Sequence, residues 1–426
     1  MSDNRFPTVS GTVGMLRDAI LSISRSNQED MALGAALAIA GTLTANRFSY
    51  NGESIYTTMY VLNVAGTSAG KGAAIDLVNG LFGFNGLGKR PGFDLLGLRN
   101  YSSDVSIIEY LETKRTRLDV IDEFGQIFKG LAIKGDRKAA VCECLKSLFS
   151  AKDYFAGHHT KTNGSIGKCL TPSVGIFGTI QPATLANNIT PEVLFDGFMG
   201  RFLYFMENVG ADYLGNQRKN RVNQKLLNDL VDACLAVYPD NPIMDRSPDG
   251  SVAASRMLCQ FKRTPLGMTK EANSLLDVMD KEHYGSLQAL RISGREAEVA
   301  ATGRTMELVE KLSWILCVSD GATEMTVDHV MIARQIVDVS NQKASAMLVE
   351  AGSTVENKDM QKILDLVEKA PAGGVRRRDI MRKTHTRLKQ YKEIVSTLVA
   401  MEKVEEFVLE PVEPDGKPIN FVRIPA

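Results

Sequence analysis

The sequence predicts an α/β fold: a three-layer domain around a mainly parallel sheet, with helices before it and a helical region and small basic domain after it. Three observations lead there. Between about 47 and 210, short apolar runs alternate with stretches of helical spacing, as strands joined by crossover helices do. One such run leads into a glycine-rich turn and then a helix. Beyond about 350 the chain changes texture and reads as helices followed by a hairpin.

Taken in order, Val13, Leu16, Ile20 and Ile23 recur at helical spacing, so an N-terminal helical segment, 1–46, holds two helices. Within it Met31–Leu43 is rich in Ala and Gly and too short to span a bilayer, so it reads as a buried helix. Thr57–Val64, Leu118–Ile121 and Ser173–Phe177 are strands of a core domain, 47–210, and Ala73–Phe82 is a helix. A helical lid region, 211–350, follows, with Leu226, Leu227, Leu230 and Cys234 on one stripe and Leu308, Leu312, Ile315 and Leu316 on another. The polar stretch Gly352–Asp359 reads as a linker. The last domain, 358–426, has a helix at 360–368, a breaker at Pro371–Gly374, and helices near Arg377–Lys383 and Arg387–Met401. A hairpin of Val404–Leu409 and Ile419–Ile424 completes the order of a winged helix-turn-helix domain.

At 426 residues the chain has room for two to three domains, and 44% hydrophobic with 23% charged residues is ordinary for a soluble globular protein. Fifty basic residues balance fifty acidic ones, so affinity for nucleic acid must come from local clustering of charge. Six cysteines are scattered without a CxxC pair, and Cys142–Cys144 has no matching second pair. Reduced structural thiols in a cytoplasmic protein follow, rather than zinc ligands. The N-terminus lacks a basic stretch followed by an apolar one, so no signal peptide is expected.

The chemistry-bearing signal is Ala65-Gly66-Thr67-Ser68-Ala69-Gly70-Lys71-Gly72, running on into Ala73. Small residues let successive backbone N–H groups cradle phosphate oxygens, while the lysine adds charge at the β and γ positions. Two positions depart from the usual pattern: Ala65 replaces the first glycine, and Gly72 replaces the hydroxyl that touches Mg²⁺. A second match, Gly83–Lys89, follows a helix instead of a strand and reads as a solvated loop. In Leu118-Asp119-Val120-Ile121-Asp122-Glu123, an apolar strand ends in two acids, one for a Mg²⁺ shell and one for an attacking water. Gly175–Pro182 ends a third strand in Thr179 and Gln181, either of which suits a sensor between carboxylates and γ-phosphate. Arg201, in Gly197-Phe198-Met199-Gly200-Arg201-Phe202, suits an arginine finger contributed by a neighbouring subunit.

This ordered set resembles the AAA+ ATPases of phages and prophages encoded beside primases, and more broadly the hexameric replicative helicases with a hairpin before the first sensor. The similarity covers about 50–345. It implies a P-loop AAA+ core in which Gly66–Ala73 hold ATP, with Lys71 on phosphate, Asp122 on Mg²⁺, Glu123 on water and Thr179 as first sensor. It implies Arg201 as the finger and a second-sensor arginine in the lid, for which Arg304 is the choice and Arg295 the alternative.

DNA contacts are expected in two places. Between 373 and 392, eight Lys or Arg residues face one acid, Asp379. Arg376, Arg377, Arg387, Lys389 and Lys392 are the candidates for duplex contacts there. Residues 153–170 carry Lys161 and Lys168 around an Asn163-Gly164 turn signal, a loop suited to gripping a single strand in a ring's channel. The reading is an ATP- and Mg²⁺-dependent ring motor on DNA, a hexamer in the cytoplasm of a bacterial host, with a primase or another replication protein as partner. Two rivals are a helicase loader or origin-binding initiator that does not unwind, and a DNA-binding regulator with a degenerate P-loop, which Gly72 favours.

Overall fold

The computed structural model describes residues 5–67, 69–90, 92–131, 137–151, 154–155, 158–160, 164–166, 169–188, 197–215, 221–239, 263–370, 374–400, 403–409 and 419–424. The chain divides into two compact units, Met1–Ala346 and Met347–Ala426.

The first unit begins with helices α1 (Gly11–Ile23) and α2 (Glu29–Thr44). Every residue of α2 from Met31 to Thr44 is buried, because the helix lies across the sheet and has no solvent face. Its small residues permit that approach: a Cβ on Gly34 would fall 2.5 Å from the Phe205 ring. The Ala- and Gly-rich run is thus one layer of the core. Residue 46, expected as a domain boundary, lies inside this packed unit, as does residue 210. No helix among the described residues is long and apolar enough to cross a membrane.

A small edge sheet holds β1 (Phe48–Tyr50) and β2 (Glu53–Ser54), followed by β3 (Tyr60–Val64) in the main sheet. Next come α3 (Lys71–Phe82), α4 (Asp104–Thr113), β4 (Thr116–Ile121), α5 (Gly125–Leu131) and α6 (Arg137–Phe149). Four short strands follow: β5 (Tyr154–Phe155), β6 (His158–Thr160), β7 (Gly164–Ile166) and β8 (Cys169–Leu170). β9 (Ser173–Ile180), α7 (Pro182–Asn188) and β10 (Phe202–Met206) complete the core. The main sheet has the order β10-β3-β9-β4 and is parallel throughout. β3, β4 and β9 are buried along their whole length, which is why they read as mostly apolar runs; the charged Arg117 and Asp119 of β4 are buried as a pair.

The topology has one consequence for any site. The chain leaves β3, crosses to β4, and only then fills the gap between them with β9. The ends of all three strands therefore sit side by side at one edge, where parallel α/β sheets bind ligands.

Among the later elements of this unit, helix Gln224–Val237 buries Leu227, Leu230, Val231 and Cys234. Helix Thr305–Ser319 buries Leu308, Leu312, Ile315 and Leu316 and packs on α2. The stretch 352–359, expected as a linker, is instead helical, inside the continuous helix Val327–Glu368. It contains no proline, and its one glycine costs only about 1 kcal/mol.

In the second unit, Ile363, Val367, Ile380, Tyr391, Ile394, Val395, Leu398, Val404 and Val422 form the core. Helices Arg377–Thr384 and Leu388–Ala400 are joined through His385, whose φ of 57° ends the first in the left-handed region. Strands Val375–Arg376, Ile419–Arg423 and Glu405–Leu409 form an antiparallel sheet with Ile419–Arg423 in the middle.

Candidate nucleotide site

The loop 65–70 continues from β3 and turns into α3. Ala65 donates its N–H to Ile180 O at 2.9 Å, tying the loop's start to the end of β9. At its other end Gly70 has φ 91° and caps α3, a conformation that glycine adopts without penalty. Lys71 is then the first helical residue, so the free N–H groups of that helix open beside it. A Cβ on Gly72 would meet nothing within 4 Å. The missing hydroxyl there is a chemical departure; a side chain would fit. Ser68 lies outside the described residues, and Thr67 is exposed. The alternative GxxxxGK match ends in an exposed Lys89 on a short 3₁₀ turn after α3, with no strand leading into it.

The two aspartates of the acidic motif have opposite surroundings. Asp119 is fully buried and pairs with the equally buried Arg117 at 2.9 Å. It also accepts from Tyr101 Oη at 2.9 Å and from Leu98 N at 2.6 Å, so it pins the segment before α4 onto β4. Burial first, and then the Asp119 charge, push the Tyr101 phenol well above its ordinary pKa, keeping it a donor. Asp122, just past the end of β4, is exposed. Thr179 Oγ1 donates to Asp122 Oδ1 at 2.5 Å from a hydroxyl that is almost fully buried in β9. Glu123 follows with φ 65°, a left-handed conformation that costs a non-glycine residue on the order of 1 kcal/mol. Strain of that kind persists where the surrounding structure enforces it, here through Phe124 N donating to Thr179 O at 2.8 Å.

Glu207, directly after β10, escaped the sequence reading. Its Oε2 accepts from Gly66 N at 2.9 Å, so an acid sits on the backbone of the loop that leads into α3. The only signal was an acid following the apolar run Phe202–Met206, and that has no meaning until β10 pairs with β3.

Arg201 lies elsewhere. Phe202 of β10 is in register with Tyr60, the first residue of β3. Arg201 is therefore at the edge where the strands begin, one strand length or about 15 Å from the loop that leads into α3. It is 8% exposed, and Nη1 donates to Gly197 O at 2.7 Å. Arg201 is held within its own chain, its guanidinium 6.0 Å from the Phe149 ring centre.

Arg304 joins the same edge and is not brought to Lys71. Glu307 pairs with Arg304 at 3.2 Å and with Lys311 at 3.0 Å, and Lys311 Nζ donates to Phe149 O at 2.8 Å. Burial pushes the Lys311 ammonium down to about 8, against the pull of Glu307 and helped by Arg201 and Arg304. Arg295, the alternative, is exposed and paired with Glu298. The separation arises because the helical region after β10 packs its Glu296–Thr302 and Thr305–Ser319 helices near Gly200 and Phe149, at the far end of the sheet.

Lys161 and Lys168 lie outside the described residues. Around them β6 pairs antiparallel with β7, Thr160 opposite Gly164, and β5 pairs with β8. In the second unit Arg376, Arg387 and Lys392 are exposed, Arg377 is partly exposed, and Lys389 is on helix Leu388–Ala400. Cys142, Cys144, Cys234 and Cys317 are buried free thiols. Burial pushes Cys144, Cys234 and Cys317 up to about 12, which makes them inert rather than nucleophilic.

The chain matches no described protein family and no curated protein. Among solved structures, a full-length MCM homolog from Methanopyrus kandleri aligns with a TM-score of 0.40 and 12% identity. The alignment covers 78% of this chain and 58% of that one. A likeness of that extent carries no argument, and the site is read from its own geometry.

Proposed function

We propose that this chain is an ATPase of the AAA+ kind that works as a ring-forming motor on DNA, in phage or mobile-element replication. The observation that carries the reading is the Thr179–Asp122 hydrogen bond beside the turn from β3 into Lys71. Three strand ends contribute a phosphate loop, an exposed acid pair and a buried hydroxyl at one edge, the set that nucleotide hydrolysis needs.

In this reading the free amides within 66–73 and Lys71 bind the triphosphate, the Gly66 N–H being held by Glu207. Asp122, exposed and with one oxygen fixed by Thr179, suits Mg²⁺, an ion that is often held by one or two carboxylates and the substrate's own phosphates. Bound Mg²⁺ would neutralise charge on those phosphates. Gly72 would add no ligand, so waters would have to complete the shell there. Glu123 orients the attacking water. Arg201 is too far from Lys71 of its own chain to act there, so as a finger it would have to leave Gly197 O and reach a neighbouring subunit. Arg304 at the same edge would serve the neighbour as well. The helix–helix–hairpin order of the second unit supports a winged helix, with its basic helices on duplex DNA.

The test is direct. Purified protein should hydrolyse ATP with Mg²⁺, Lys71→Ala should abolish hydrolysis, and Glu123→Gln should still bind ATP. Wild type that binds no nucleotide overturns the reading. A forked-DNA displacement assay alongside separates a motor from a loader, which hydrolyses ATP but displaces no strand.

A further inference from the structure

The small sheet of the second unit has two unlike faces. Val422 is fully buried in the core, with its register partner Val375 packed against it. Strand alternation then turns Arg376, Phe421 and Arg423 to the opposite face. Phe407 is the register partner of Phe421 and shares that face. The two rings stack with centres 5.6 Å apart and planes 19° apart, both partly exposed. The Arg376 guanidinium lies 5.8 Å from the Phe421 ring centre and that of Arg423 lies 4.8 Å from Phe407. Arg423 also pairs with Glu405 across the strands. The charged groups described on this face are thus two guanidiniums and one carboxylate.

A solvent-facing sheet surface ordinarily carries polar side chains, so two phenyl rings between two guanidiniums call for an occupant. Arg376 leads straight into helix Arg377–Thr384, whose Arg378, Arg382 and Lys383 are exposed. The rings therefore border the basic surface. We infer that this face binds single-stranded DNA, with unpaired bases displacing the guanidiniums from Phe407 and Phe421 to stack on the rings, and phosphates taken by Arg376 and the neighbouring basic residues. Rings and cations together match a polyanion that carries flat apolar bases. Bases within a duplex are stacked on one another and offer no free face. An acidic protein would use the arginines and leave the rings idle. The inference rests on DNA as the chain's target, proposed above, and is independent of ATP hydrolysis.

The test uses the full chain without nucleotide, with a labelled thymidine oligonucleotide and a duplex of equal length, read by fluorescence anisotropy. Phe407→Leu with Phe421→Leu keeps apolar bulk and removes both π faces. Single-strand binding should weaken at least about fivefold for each ring, with duplex binding unchanged. Phe407→Trp should retain single-strand binding. Unchanged single-strand affinity in the leucine variant overturns the inference, and so do equal losses on both DNAs, which would make the rings structural. Should the leucine variant fail to fold by circular dichroism, photocrosslinking of wild type to an iodouracil-substituted strand decides. Attachment at Phe407 or Phe421 supports the site, and attachment only elsewhere overturns it. ATP hydrolysis measured on the same preparation keeps failure here distinct from failure of the nucleotide reading.

Discussion

Replacing Thr179 by valine keeps the β-branched shape and deletes the hydroxyl that, among the described residues, reaches Asp122. The residue is 1% exposed in β9, and its bond to Asp122 Oδ1 is 2.5 Å. A hydrogen bond to a charged group contributes about 1.5–3 kcal/mol. Its loss should divide unevenly. Asp122 is exposed, so in the resting protein its oxygen regains water, and the stability cost should stay near 1 kcal/mol. For a unit of this size that is a fall in Tm of about 2 °C or less. In turnover the carboxylate must keep one orientation while charge shifts around it, and the full contribution counts. At about 1.4 kcal/mol per decade, kcat should fall roughly 10- to 150-fold. KM for ATP should move by less than about twofold, because the phosphate loop and Lys71 are untouched. Steady-state ATPase kinetics beside thermal unfolding measure both halves. A valine variant with wild-type kcat refutes the argument, as does a loss of activity that tracks unfolding.

Arg201→Ala should lower turnover about 10³-fold while ATP still binds, and mixing it with Lys71→Ala subunits should restore part of the activity. No rescue, with a monomer on a sizing column, counts against action between subunits. Lys311 titrates at about 8 when folded and 10.5 in its ordinary state. Between those values the unfolded chain holds a proton that the folded chain lacks, so this group makes stability rise with pH from 8 to 10.5. Lys311→Met should remove that rise, on the order of 3 kcal/mol, in urea midpoints taken across the window; identical slopes for both proteins contradict it. In the second unit, Arg387→Ala with Lys392→Ala should weaken duplex binding and flatten its log–log salt slope by about 0.9 for each phosphate no longer neutralised. An unchanged slope shows that these side chains do not touch phosphate.

Much of this protein was legible in one dimension, where local chemistry decides. Thr57–Val64, Leu118–Ile121 and Ser173–Phe177 read as strands because a parallel strand covered on both faces is mostly apolar, whereas the buried Arg117–Asp119 pair gives no such signal. The turn from β3 into α3 at Lys71 is legible because a strand, a run of small residues and a helical stretch follow one another in the sequence. The stripes of Gln224–Val237 and Thr305–Ser319 follow from helical periodicity alone. Other features depended on neighbours distant in sequence. Met31–Thr44 belongs to the core because it lies across strands that come later, and Asp119 and Asp122 look alike until the fold buries one and exposes the other. Glu207 reaches Gly66 only because β10 pairs with β3 across some 140 residues of chain, and loop closure over such a span leaves no local trace. Arg201 and Arg304 were readable as arginines in suitable company. Which end of the sheet they occupy was decided by strand register and helix packing, which no short window of sequence contains.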